Sequence, residues 1–346
     1  MTDQSPLKFL VVRRDNIGDL VCTTPMFSAL RQHFPRARIC ALVNSYNVQV
    51  LDHNPDVDEV FAYTKAKHVT STISVARSYW DRARLLAKLR GYHFDYAILP
   101  GSNFTKHALR LARFTKPRHI IGYAEPSQAR HIDMALPPPE PDVHEMECVY
   151  RLLAPLGIVG PPLPQRVIPD PAGVAKVRAA LQQRGWTSSS VIAIHISTRR
   201  PSNRWSEQHF IALIRALWNS YGTPFMLFWS PGDVSNPQHP GDDAKADAIM
   251  RALTDVPIMA WPTHELSELI SGLSVCSELI CSDGGAMHLA SGLGKPILCF
   301  FGDTPSVRWH PWGVPYVLLQ PESLNANDIS VDEAVAAFQR LKSLRG

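Results

Sequence analysis

Residues Phe9–Pro25 read F-L-V-V-R-R-D-N-I-G-D-L-V-C-T-T-P. The apolar start, Phe9–Val12, is long enough for one buried strand. Polar residues follow at Arg13–Asn16, the chain turns at Gly18, and a helical pattern resumes from Leu20. A strand, a glycine turn and a helix make half of a βαβ unit. Ligands of open α/β sheets bind at the carboxyl ends of strands, beside such turns. Asp19 therefore stands where chemistry is usually found, at a helix start whose N–H groups favour a negative charge. The same aspartate also suits a purely structural part, as a first-turn acid of that helix.

Outward from this stretch, strand and helix signals alternate. The first half reads as a helix over Leu20–His33, a strand at Arg38–Val43, a short helix near Tyr46–Asp52 and a strand at Glu59–Tyr63. A polar loop is expected at Lys65–Thr72 and an amphipathic helix at Ser74–Arg90. Strands at Tyr96–Leu99 and His119–Gly122 flank a helix at Lys106–Phe114, and His144–Leu156 reads as a helix. The second half repeats the alternation, with strands at Val191–Ile196, Phe225–Trp229, Val256–Ala260, Glu278–Cys281 and Pro296–Phe301. Such alternation predicts an α/β fold with parallel sheets covered on both faces. At 346 residues the chain is too long for one typical core. Gly157–Pro171 is the linker candidate, which predicts domains over 1–160 and 161–330 and a final amphipathic helix within 331–346.

Composition narrows the function. No apolar run approaches the roughly 18 residues of a membrane span, and Met1–Lys8 lacks a signal-peptide core. A cytoplasmic protein is expected. The six cysteines form no C-x-x-C pair and several sit in apolar runs, so they read as reduced core residues. The 14 histidines form no H-E-x-x-H, and no metal site can be argued. From Lys65 to Arg130 there are 13 Lys/Arg against three acids. A basic face suits an anionic partner, such as a membrane surface or an anionic glycolipid. Nucleic acid is not expected, because no recognised binding motif accompanies the charge.

Two further stretches carry chemistry. Ile280–Gly302 reads I-C-S-D-G-G-A-M-H-L-A-S-G-L-G-K-P-I-L-C-F-F-G. Asp283, Gly284 and Gly285 form a turn between strand and helix, where exposed N–H groups can hold a phosphate. His288 lies in the first helical turn, close enough to add a hydrogen bond. His195–Trp205, H-I-S-T-R-R-P-S-N-R-W, follows another strand. It combines Thr198 with Arg199, Arg200 and Arg204, whose guanidinium forks suit phosphate oxygens. Neither turn supplies G-x-G-x-x-G, which argues against a nicotinamide-dinucleotide enzyme. Gly294-Lys295 is not the end of a P-loop, because Leu289 stands where the first glycine is required.

Together these stretches resemble glycosyltransferase family 9, the lipopolysaccharide heptosyltransferases. The I-G-D turn, the loop before R-W, S-D-G-G-A-M-H, G-K-P and F-F-G carry the resemblance. It implies a GT-B-like α/β fold: two facing Rossmann-like domains with a cleft between them, acceptor on the first and nucleotide sugar on the second. It further implies inverting transfer without metal or other cofactor, from an ADP-sugar donor, most simply ADP-heptose. The implied acceptor is an anionic glycolipid of the lipopolysaccharide-core type, met at the cytoplasmic face of the inner membrane. Asp19, after Gly18, resembles the family's catalytic base. Asp283, Gly284, Gly285 and His288 resemble its donor-binding turn. Many members place a lysine where Asn203 stands here, which turns attention to Arg199 and Arg200 as replacement cations, ahead of Arg204. A nucleotide-sugar epimerase and a non-catalytic sugar-nucleotide or glycolipid binder are the alternatives.

Overall fold

A computed structural model describes residues 6–63, 80, 83–187, 190–235 and 240–344. The chain divides into two compact units, Met1–Arg166 and Val167–Gly346.

In the first unit, strands β1 (Lys8–Val12), β2 (Arg38–Asn44), β3 (Glu59–Tyr63), β4 (Tyr96–Ile98), β5 (His119–Tyr123) and β6 (Met134–Leu136) form one parallel sheet. Their order is β3-β2-β1-β4-β5-β6. The helices are α1 (Ile17–Val21), α2 (Thr24–His33), α3 (83–90), α4 (Lys106–Thr115), α5 (Pro126–Ala129) and α6 (Glu145–Arg151). The second unit repeats the plan. Its helices begin with α7 (Pro171–Gln182), α8 (Glu207–Tyr221), α9 (Asp243–Ala252) and α10 (Leu266–Val275), followed by α11 (Gly285–Gly292), α12 (Ser306–Trp309) and α13 (Val331–Ser343). Its strands are β7 (Ile192–His195), β8 (Phe225–Trp229), β9 (Ile258–Pro262), β10 (Glu278–Ser282), β11 (Ile297–Phe300) and β12 (Tyr316–Leu319). They run parallel in the order β12-β11-β10-β7-β8-β9. Each sheet starts at its centre, grows to one edge, then returns to the other side of the first strand. The order of growth therefore reverses beside β1 and beside β7, and crevices for ligands open at such switch points.

The central strands are buried and mostly apolar, as parallel strands covered on both faces must be, with polar residues only at their ends. Helix α13 belongs to the second unit. Ala334, Ala337, Phe338 and Leu341 enter its core, and Lys342 Nζ donates to the buried Glu278 Oε1 at 2.7 Å. All six cysteines are buried thiols. Among the described residues no helix is long and apolar enough to cross a membrane.

Several expectations change. The helix read over Leu20–His33 is two helices, α1 and α2. Pro25 has no N–H to give Val21, and Thr24 Oγ1 donates to Val21 O instead, at 2.7 Å. The helix read over His144–Leu156 stops at Arg151, and Pro155 leaves only a 3-10 turn at Ala154–Leu156. The strand read at Val256–Ala260 lies two residues later. Strands β6 and β12 are additional, half-buried edge strands, β6 followed by Pro137 and β12 preceded by Pro315. The loop read at Lys65–Thr72 and the first part of the helix read at Ser74–Arg90 lie outside the described residues.

Candidate functional site

In the first unit the turn after β1 holds a buried cation. The Arg13 side chain is 1% exposed, and Nη2 donates to Asp19 Oδ1 at 2.7 Å and to Glu145 Oε1 at 2.7 Å. Asp15 lies 3.4 Å from Nε. Burial works against the Arg13 charge, but Asp19, Glu145 and Asp15 outweigh it and hold its proton affinity above the ordinary arginine range. Asp19 Oδ2 accepts the Asn16 N–H at 2.9 Å, so Asp19 does serve as a first-turn acid of α1. Its side chain nevertheless remains 14% exposed, which leaves a fixed carboxylate with an edge toward solvent. Gly18 beside it is buried. Glu145 is delivered by α6, whose start is capped by His144 Nδ1 accepting from Met146 N at 3.1 Å. The turn after β4 closes over the guanidinium. Gly101 has φ +147°, and a Cβ there would stand 3.4 Å from Arg13 Nη1.

In the second unit the loops after β7, β10 and β11 meet at the switch point. Thr198 Oγ1 donates to the Asp283 carbonyl at 3.0 Å. The Asp283 carboxylate is held through Oδ2 by Asn203 Nδ2 at 2.9 Å and Thr304 Oγ1 at 2.8 Å. Asn203 Oδ1 accepts the Gly302 N–H at 2.7 Å. Gly302 is required there, because a Cβ would come within 2.2 Å of the Ser202 carbonyl oxygen. Trp205 locks the far end of the β7 loop: its indole N–H donates to Ile329 O at 2.9 Å, and its ring packs against Phe210 and Phe300.

Asn203 is therefore not an open position awaiting a cation. It is fully buried and ties three loops together with hydrogen bonds from an uncharged side chain. A Cβ on Gly284 meets nothing within 4 Å, so space is open before the turn that starts α11. Gly285 is the first residue of that helix. His288 is buried, its ring edge-on to Trp309 at 5.9 Å.

The three arginines separate. Arg199 is exposed. Arg200 is exposed too, with Nη1 3.3 Å from Asp303 Oδ1. Arg204 is half-buried, and its Nε donates to Thr198 O at 3.3 Å. Arg204 also lines a pocket of about 660 Å³ with Asp233, Asp242, Asp243 and Lys245. Lys245 Nζ donates to Ile196 O at 3.2 Å and Trp205 O at 2.7 Å. Burial, helped by Arg204 and against the pull of Asp242 and Glu207, lowers the Lys245 pKa to about 8. His195, at the end of β7, is pushed down to about 4 by burial and by Lys245.

Sequence reasoning singled out Asp19, Thr198 and Asp283 but missed Arg13, Glu145, Thr304 and Lys245. Arg13 could have been suspected, as a charge at the end of an apolar strand. Glu145 stands 132 residues from Arg13 and gives no local signal. Among the described residues no group of His, Cys, Asp or Glu could hold a metal ion.

The model of Glycosyltransferase family 9 (heptosyltransferase) matches residues 82–331. The Gly18–Asp19 turn lies outside that span. Lipopolysaccharide heptosyltransferase 3 of Escherichia coli is 23% identical over 305 residues, covering 85% of this chain and 83% of that protein. Among solved structures, the glycosyl transferase family 9 protein of Veillonella parvula superposes with a TM-score of 0.83 at 17% identity, over 100% of this chain and 99% of that one. Escherichia coli heptosyltransferase WaaC, solved with ADP, has a TM-score of 0.77 at 16% identity, covering 97% and 99%.

Proposed function

Because this chain belongs to glycosyltransferase family 9, whose two-domain α/β fold it shares, we propose that it is an inverting, metal-independent heptosyltransferase. In this reading it moves heptose from ADP-heptose onto a lipopolysaccharide-core or related anionic glycolipid, at the cytoplasmic face of the inner membrane. The first unit binds the acceptor and the second the donor. The observation that carries the reading is the Asp19 carboxylate, held at the β1 switch point by a buried guanidinium with one edge toward solvent.

Asp19 takes the proton of the acceptor hydroxyl as that oxygen attacks the anomeric carbon. The sugar–phosphate bond breaks on the opposite face, which inverts the configuration. Arg13 stays protonated and fixes the direction of the carboxylate. The departing diphosphate gains charge as the bond breaks, and N–H groups at the start of α11, Gly284 and Gly285, receive it. His288 and the arginines of the β7 loop supply the remaining stabilisation, with Arg199 and Arg200 able to swing onto an arriving phosphate. Asp283 is already engaged by Asn203 and Thr304, so its part is to shape the turn. In this reading Asp233, which follows β8 and lines the pocket beside Arg204, accepts a ribose hydroxyl, as the acid after the second strand does in dinucleotide-binding sheets. Support from known proteins is that WaaC was solved with ADP and with ADP-2-deoxy-2-fluoro heptose.

The test is Asp19→Asn. It keeps the size of the side chain and removes the base, so transfer should fall by roughly 100-fold or more while ADP affinity stays unchanged. Transfer at near the wild-type rate would move the base elsewhere.

A further inference from the structure

Helix α4 carries a surface that the transfer chemistry does not use. Between Asp95 and Glu125 the chain has five Lys or Arg and no acid. The helix buries Ala108, Leu109, Leu111, Ala112 and Thr115 against the first sheet. Its other side presents Lys106, His107, Arg110, Arg113 and Phe114, all exposed, and Lys116 follows at the cap. The Phe114 ring is 58% exposed. Among the described residues, the ion pairs of this region reach only Arg118, 3.1 Å from Asp95. The neighbouring α3 packs on the same core cluster through Leu85, Leu86 and Leu89, and adds exposed Arg84 and Arg90.

A face that only keeps the protein in solution mixes both signs of charge. Unpaired cations around one protruding aromatic fit a surface that is itself anionic outside and apolar just beneath. We propose that the outer face of α4 docks on an anionic lipid bilayer, with Arg110, Arg113 and Lys116 at the headgroup phosphates and Phe114 at the acyl boundary. The α4 helix starts beyond the turn whose Gly101 covers Arg13, so the face begins at the same edge of the sheet as the Asp19 turn. The proposal rests on the reading of a glycolipid acceptor, which must be met at such a surface.

The test is co-sedimentation with vesicles of equal parts phosphatidylcholine and phosphatidylglycerol, against vesicles of phosphatidylcholine alone. Wild-type protein should bind the anionic vesicles and release as salt rises. Arg110→Ala/Arg113→Ala should bind about 30-fold more weakly, and Phe114→Ser about 10-fold more weakly. Arg110→Lys/Arg113→Lys should keep binding, and Arg251→Ala, an exposed cation of the second unit, should not change it. Equal binding to both vesicles, absence of binding, or a double alanine variant that binds like wild type each overturn the proposal. So does capture of duplex DNA in place of vesicles. If the double alanine variant loses transfer to a detergent-dispersed acceptor as strongly as it loses vesicles, the face belongs to the acceptor site and docking is overturned. Vesicle binding needs neither donor nor acceptor. A wild-type protein that binds vesicles through α4 but transfers no sugar would remove the transferase reading and leave the docking face standing.

Discussion

Arg13 and His195 each show what a buried titratable side chain costs and supplies. Arg13 neutralises Asp19 and Glu145, both within 2.7 Å, in a place where neither carboxylate is well hydrated. Replacing it by Gln leaves two carboxylates facing each other without their counter-ion. Breaking a buried ion pair costs about 3–5 kcal/mol, so Arg13→Gln should lower the free energy of unfolding of the first unit, measured by chemical denaturation, by that amount. A loss under about 1 kcal/mol would mean that water already screens the cluster. The aspartate was legible in the sequence because a strand, a glycine and a helix start are local signals. Its arginine partner adjoins the same strand, but the pairing depends on how the turn folds back, and Glu145 comes from a helix on the far side of the unit's sequence. His195 gives a pH dependence. Its folded pKa of about 4 lies below the ordinary value near 6.5. Between those values the unfolded chain binds the proton and the folded one does not. Stability is therefore full above about pH 6.5 and is lost as pH falls toward 4, by up to roughly 3 kcal/mol. Denaturation midpoints of His195→Gln followed over that interval should slope less steeply with acid than wild type. Parallel slopes would show that other groups govern the acid limb.

At the scale of elements, the central strands and long helices were legible and the edges were not. Strands β8 and β11 are continuous apolar runs, and β7 and β10 are apolar except at their ends, because both faces are covered. Strands β6 and β12 have only one neighbour each, so half-exposed residues suffice and prolines are tolerated beside them. The break between α1 and α2 needed attention to one residue, Pro25, whose missing N–H is answered by the Thr24 hydroxyl. The same lesson applies to the β7 loop. Sequence comparison with the family marks Asn203 by the charge it lacks, while the fold uses the three hydrogen bonds it makes, to Asp283, Thr304 and Gly302. Asn203→Ala removes them and leaves the Gly302 N–H buried and unsatisfied, which costs roughly 1–3 kcal/mol. It should also release Asp283, so ADP affinity should fall together with stability. An alanine variant with unchanged ADP affinity would show that the Asp283 turn keeps its shape without this tie.

For the whole molecule, each end of the linker is held to its own unit by tertiary hydrogen bonds that composition cannot reveal. The linker read over Gly157–Pro171 has no helix or strand before α7 starts at Pro171, yet Gln165 Nε2 lies 3.5 Å from Cys22 Sγ and Arg166 N donates to Thr24 Oγ1 at 3.0 Å. The next residue, Val167, donates its N–H to Gly292 O at 2.9 Å. Each unit has a buried core of its own, one beneath β1–β5 and one around β7, β8 and α13. Two cores allow two unfolding transitions, and a ligand stabilises only the unit that binds it. If the second unit is the donor side, ADP at about 100 times its dissociation constant should add about 2.7 kcal/mol to that unit alone. For a unit of this size the midpoint should rise by roughly 5–10 °C. Differential scanning calorimetry of the whole chain with and without ADP measures this. Asp19→Asn should leave the ADP-induced rise intact, because that residue lies in the first unit. Gly284→Val, which fills the open space before α11, should abolish it. A rise confined to the first unit's transition, assigned by its loss of stability in Arg13→Gln, would reverse the roles of the two units. A rise unchanged in Gly284→Val would move the diphosphate away from the α11 turn.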